Sequence, residues 1–134
     1  MNIGSRARVA VAALGAFVLA PPIGASADTV KVGFIVTLTG GQAGLGETIQ
    51  KATKLYMKLH QNELPAGLTV EPIWRDDTGP NPDQAKRLAQ DLIVRDQVQM
   101  LSGITWTPNA MAVGAFTKQA KMPTVMSGNG APAS

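Results

Sequence analysis

Apolar and polar positions along this chain fall into alternating blocks. VKVGFIVT (30–37) is a short apolar run rich in β-branched residues, the pattern of a strand buried on both faces. TGGQAGLG follows as a loop. From about Thr48 the period becomes helical: Ile49, Ala52, Tyr56 and Leu59 share one predicted inner face, and Pro65 and Gly67 end the helix. LTVEPIW (68–74) reads as a second strand. Its Pro72 has no N–H for a ladder, which predicts a sheet edge. RDDTGPNP is a polar turn. Asn81 is placed to cap the next helix, with Pro82 at its first position and Gln84 at capping-box spacing. Ala85, Leu88, Ala89, Leu92 and Ile93 form that helix's apolar stripe, while Lys86, Arg87, Gln90 and Asp91 face water. QMLSGI (99–104) is a third strand. Thr107 and Pro108 are expected to cap and open a third helix, with Met111, Ala112, Ala115 and Phe116 inside. MPTVMS (122–127) is a fourth strand, and SGNGAPAS a closing loop.

The order βαβαβαβ predicts an α/β fold: an open parallel sheet with helices on both faces. Right-handed crossovers leave few topologies, and an edge position for the second strand favours the order 2-1-3-4. No helix follows the fourth strand, whose apolar edge is left open, so the chain is expected to be a truncated piece of a longer protein.

The first residues stand apart from this pattern. Arg6 and Arg8 precede the apolar run VAVAALGAFVLA, and Ala25-Ser26-Ala27 is an A-x-A cleavage signal. An apolar run of this length falls short of the roughly 20 residues a membrane span needs. Residues 1–27 are therefore expected to be a secretory signal peptide, cleaved after Ala27, and 28–134 a single domain without a membrane span. Without the leader's arginines, basic and acidic residues nearly balance, and no basic cluster points to nucleic acid. The chain has no cysteine, which excludes disulfides and thiolate chemistry.

In open parallel sheets, ligands bind beyond the carboxyl ends of the strands, where strand order reverses. The loops at that end are TGGQAGLG, RDDTGPNP, TWTPN and SGNGAPAS. TGGQAGLG fits neither G-x-G-x-x-G nor a P-loop, which removes the dinucleotide and nucleotide readings and leaves a flexible turn or a ligand-facing loop. Asp76-Asp77 could mark a metal or a phosphorylated aspartate, but a paired Asp ahead of a helix is more often a turn and helix-dipole feature. His60, the only histidine, has no cysteine or acidic cluster beside it and reads as a solvated surface residue, so no metal site is expected. Ser102 and Ser127 lack a visibly placed base, and no catalytic triad can be assembled. No cofactor or enzymatic activity is expected.

GITWTPNA (103–110) differs from these. Thr105, Trp106 and Thr107 stand between a strand and a helix start, where free N–H groups and hydroxyls suit a carboxylate. Trp106 could lie over an apolar or aromatic part of the same ligand. The alternative is that Thr107 only caps its helix and Trp106 only packs a loop.

Three segments together resemble the leucine/isoleucine/valine-binding family of periplasmic solute-binding proteins, which serve ABC transporters. They are VGFIVTLTGGQAGLGETIQKATKL, WRDDTGPNPDQAKRLAQDLI and LSGITWTPNAMAVGAFTKQAKMPTVMSGNGA, covering essentially all of 30–131. The resemblance implies the first lobe of a type I periplasmic binding protein, with a second lobe absent from 28–134. It implies ligand contacts at Thr105, Trp106 and Thr107, at Asn129, Gly130 and Ala131, and at Leu45 over the ligand. Trp106 replaces a small hydroxyl residue common in the family, and Ser127-Gly128 replaces Ser-Pro. Both departures point away from a simple branched-chain amino acid and toward an aromatic or apolar carboxylate. The expected function is periplasmic capture of a small carboxylated solute for an ABC permease. A ligand-sensing lobe of a regulatory or receptor protein is the alternative.

Overall fold

The computed structural model describes residues 28–128, so the proposed signal peptide and Asn129, Gly130 and Ala131 lie outside the described residues. Strands β1 (Asp28–Val36), β2 (Leu68–Asp76), β3 (Met100–Gly103) and β4 (Thr124–Met126) alternate with helices α1 (Ala43–His60), α2 (Pro82–Val94) and α3 (Thr107–Gln119). The four strands form one parallel sheet in the order β2-β1-β3-β4, as the sequence predicts. Pro72 lies on the edge strand β2, in register with Val32.

The start of α2 follows from its sequence. The Asn81 side chain accepts the Gln84 N–H at 3.1 Å, and Pro82 follows at the first helical position. α2 buries Ala85, Ala89 and Leu92, with Leu88 and Ile93 packed beside them. α2 and α3 pack together over one face of the sheet, against Ile35 and Leu101. Side chains fill this layer so closely that Gly33 has no room for more: a Cβ there would lie 2.8 Å from Leu101 and 2.9 Å from Leu92. Removing a leucine side chain of this kind from water contributes roughly 2–3 kcal/mol.

The helices depart from the sequence reading in three places. α1 begins at Ala43 rather than Thr48, because Gly44 and Gly46 belong to its first turns. Gly46 is buried against the chain leaving β1, where a Cβ would stand 1.9 Å from the Thr37 carbonyl oxygen. A glycine that reads as loop is here a helix residue chosen for close approach.

Second, the expected inner face of α1 is not inside except at Ile49. Tyr56 and Leu59 are 64% and 68% exposed, and Ala52 is exposed as well. The better-covered side carries Gly46, Ile49, Gln50, Thr53, Met57 and His60. Period finds a stripe, but not what covers it.

Third, α3 turns its inner face one step: Asn109, Ala110, Val113 and Thr117 are buried, while Met111 is 70% exposed and Ala115 also faces out. Among the described residues, no helix is long and apolar enough to cross a membrane.

Candidate functional site

The carboxyl ends of β1, β2 and β3 open into three loops, and two aspartates lash them together. The Asp76 carboxylate accepts the N–H of Leu38 at 2.8 Å, the Thr39 hydroxyl at 2.6 Å and the Thr78 N–H at 2.8 Å. Partial burial acts to raise its pKa, but the Thr39 hydroxyl and the N–H groups of Leu38 and Thr78 outweigh this and hold it below the usual carboxylate range.

Asp77 goes further inward and is fully buried. Its Oδ1 accepts the Thr37 hydroxyl at 2.7 Å and the Gly79 N–H at 3.1 Å, and its Oδ2 accepts the Asn109 amide at 2.9 Å. Asn109, also fully buried, donates in addition to the Gly79 carbonyl at 3.0 Å. Every donor to this carboxylate is neutral, and together they satisfy its buried oxygens without a counter-cation. The paired aspartates thus serve the loops as turn formers. Among the described residues, no group of three or more His, Asp or Glu is placed to hold a metal ion.

The turn after β3 is built on unusual backbone. Gly103 and Ile104 are both left-handed, with φ of 88° and 53°. A Cβ at Gly103 would lie 2.6 Å from the Ile35 carbonyl oxygen, so glycine is required there. Ile104, fully buried, is held in its strained conformation while its N–H donates to the same Ile35 carbonyl at 2.7 Å. These two residues reverse the chain and deliver Thr105, Trp106 and Thr107 to the start of α3.

The sequence-predicted residues occupy different positions in this frame. Thr107 is the first residue of α3 and not its cap. Trp106 takes the cap position with φ −98° and ψ 129°, and no side chain caps the helix. The reason is that an indole cannot accept an amide N–H and is engaged elsewhere: Trp106 Nε1–H donates to the Thr37 hydroxyl oxygen at 2.8 Å. The Trp106 carbonyl closes the first turn by accepting from the Ala110 N–H at 2.8 Å. Thr105 is half-buried, and its hydroxyl is enclosed with no hydrogen-bond partner among the described residues. Leu45 sits in the first turn of α1, 47% exposed. The structure thus brings Thr105, Trp106 and Thr107 to one helix end and joins them to Thr37, Asp77 and Asn109. Of the last three, Asp77 was legible in the sequence only as a turn feature, and Thr37 and Asn109 were missed. The only cue was a polar residue, Asn109, two places into a helix whose neighbours are apolar.

A four-stranded parallel sheet in the order 2-1-3-4, with its polar loops gathered at the strand ends, is shared with known proteins. Residues 29–134 match the family described as periplasmic binding protein. The chain belongs to that family. Its architecture is that of one lobe of a type I periplasmic binding protein. The Leu/Ile/Val-binding protein homolog 6 of Brucella abortus (strain 2308) is 40% identical over 119 residues, covering 89% of this chain. The chain spans 30% of that relative's length. Among solved structures, an ABC transporter solute-binding protein from R. palustris in complex with 4-hydroxybenzoate is 43% identical, with a TM-score of 0.69. The alignment covers 74% of this chain and 27% of that one. A counterpart from Rhodopseudomonas palustris BisB5, in complex with 3,4-dihydroxybenzoic acid, is 47% identical with a TM-score of 0.67, over 73% of this chain and 26% of that one. In the periplasmic binding family, sheet order places the switch point between β1 and β3, where Trp106 stands beside Thr37.

Proposed function

We propose that this chain forms one wall of a binding cleft for a small aromatic carboxylate, as the solute-capturing component of an ABC importer. The observation that carries the reading is the end of α3. Its N-terminus has no side-chain cap, so the N–H groups there, at the positive end of the helix dipole, are disposed toward a carboxylate. Half-buried Trp106 adjoins it with its one N–H already used by Thr37, so what the indole can offer a ligand is carbon surface. An anion donor set beside a flat apolar wall fits a benzoate better than an aliphatic amino acid, whose ammonium group would find no carboxylate in this turn. The hydroxybenzoate complexes of the two R. palustris relatives support the same choice.

In this reading residues 1–27 are a signal peptide, removed after Ala27, and the protein works in the periplasm. In the same reading Leu45, Asn129, Gly130 and Ala131 are further ligand contacts. A second lobe supplies the opposite wall, closes on the ligand and presents the closed form to a permease. No chemistry is performed on the solute.

Titration of the ¹⁵N-labelled chain with 4-hydroxybenzoate, benzoate and leucine tests this. One wall alone is expected to bind weakly, with a Kd of about 1 mM, or about 4 kcal/mol of binding free energy. Shifts should saturate at the amides of Thr105, Trp106, Thr107 and Asn109 with the benzoates and be smaller with leucine. Equal or larger shifts with leucine would refute the aromatic preference, and shifts spread elsewhere would refute the site.

A further inference from the structure

The hydroxyl of Thr37 sits between two groups that leave it a single arrangement. Asp77 can only accept, so the Thr37 proton must point at Asp77 Oδ1, 2.7 Å away. The lone pairs of the same oxygen are then left facing Trp106, whose Nε1–H can only donate, 2.8 Å away. Thr37 is 1% exposed and Asp77 fully buried, so water does not compete for the bond between them. Asn109 clamps the other carboxylate oxygen from α3, the helix that Trp106 precedes. A directed chain therefore runs from the indole through the hydroxyl to the carboxylate, and its far end is tied back to the indole's own helix.

We propose that Asp77 is a positioning residue for the solute wall: by orienting the Thr37 hydroxyl as an acceptor, it fixes the plane in which Trp106 is presented to the cleft. The inference rests on the reading of Trp106 as that wall. It makes an unexpected demand on specificity. Asp77 carries a negative charge near a site built for an anion, so electrostatics alone says that Asp77→Asn should improve carboxylate binding. Positioning says the opposite. The asparagine must offer an N–H₂ either to Thr37, which must then turn its own proton away, or to Asn109, which must then flip its amide and give up its bond to the Gly79 carbonyl; either way the fixed hydroxyl direction that seats the indole is lost.

The test uses the two indole N–H resonances, since Trp106 and Trp74 are the chain's only tryptophans. Trp74 Nε1 has no partner among the described residues and serves as the internal control. In Asp77→Asn, without ligand, the Trp106 signal should move upfield or broaden while that of Trp74 stays in place, and benzoate affinity should fall several-fold. Thr37→Val should do the same, and Thr37→Ser, which keeps the hydroxyl, should restore the wild-type position. If Asp77→Asn does not fold, the Val and Ser variants make the same cut. An unmoved Trp106 resonance in a folded Asp77→Asn or Thr37→Val overturns the proposal, and so does tighter benzoate binding by Asp77→Asn. A moved resonance in a protein that binds no benzoate even as wild type upholds the positioning role and refutes the solute reading instead.

Discussion

The two faces of the sheet are covered by the same kind of element and end up very different. On one, α2 and α3 lie side by side, and Ile35, Ala85, Ala89, Leu92, Leu101 and Val113 are all fully excluded from water. On the other, Phe34 stacks on Trp74 at 4.3 Å, with planes 18° apart, but both rings are only half-buried and Val125 is 52% exposed. A right-handed crossover from β1 to β2 puts α1 on this side, and it carries Leu55, Tyr56 and Leu59 outward. Two adjacent helices close the gap between them with their own side chains, whereas a single helix leaves a flank on each side. Layer count and helix count are thus separate requirements: a sheet face is sealed only when its width is matched.

Substitutions on the two faces should separate accordingly. Leu92→Ala, in the sealed layer against Gly33, is expected to cost about 3–5 kcal/mol in urea unfolding, because the dense packing cannot collapse into the gap. Phe34→Ala, on the open face, should cost about 1–2 kcal/mol, part of it the stacking with Trp74. If the two losses come out equal, the contrast between the faces is wrong.

Asp76→Asn cuts neither face but the loops at their common end. It should lose about 1 kcal/mol near neutral pH through the Thr39 and Leu38 bonds. Its sign with pH is defined. The folded-state pKa is lowered, so the wild-type stabilisation is present above the ordinary carboxylate value of about 3.9 and fades as pH falls through the lower folded value. Acid unfolding curves of wild type and variant should therefore converge at low pH; curves that stay parallel would show that Asp76 contributes nothing through its charge. Smallest of all, Leu59→Ser on the outer side of α1 should change stability by no more than about 0.5 kcal/mol. A larger loss would mean that this stripe is covered in solution.

The same contrast explains what the sequence could and could not say. Pro72, the β-branched runs and the alternation of strand with helix were enough for the sheet order, because each acts locally. The Asn81–Pro82–Gln84 start of α2 was legible for the same reason. The start of α1 was not, since Gly46 owes its place to the Thr37 carbonyl, a partner in another element. Nor was the face of α1 or α3, because periodicity orders residues around a helix without fixing which way the helix is turned. In the site, the turn at Thr105–Thr107 was visible as a strand end meeting a helix start. The network behind it joins Trp106 to Thr37 across 69 positions and Asn109 to Asp77 across 32, so it exists only once the sheet is assembled.

β1 is the centre of that assembly, and its position has a consequence for how the chain is made. Its bonding partners arrive late: Thr29 meets Thr69 40 positions on, and Lys31 meets Gln99 68 positions on. The extra loop-closure entropy of the longer span is only about 0.5 kcal/mol, too little to set an order of events by itself. Where a chain emerges N-terminus first, β1, α1 and β2 are available to dock before β3, and the turn after β3 forms only when β3 adds on the far side of β1. The element translated first is therefore the one that waits longest for its second neighbour, and holding it in a productive state until then is a burden on whatever escorts the nascent chain.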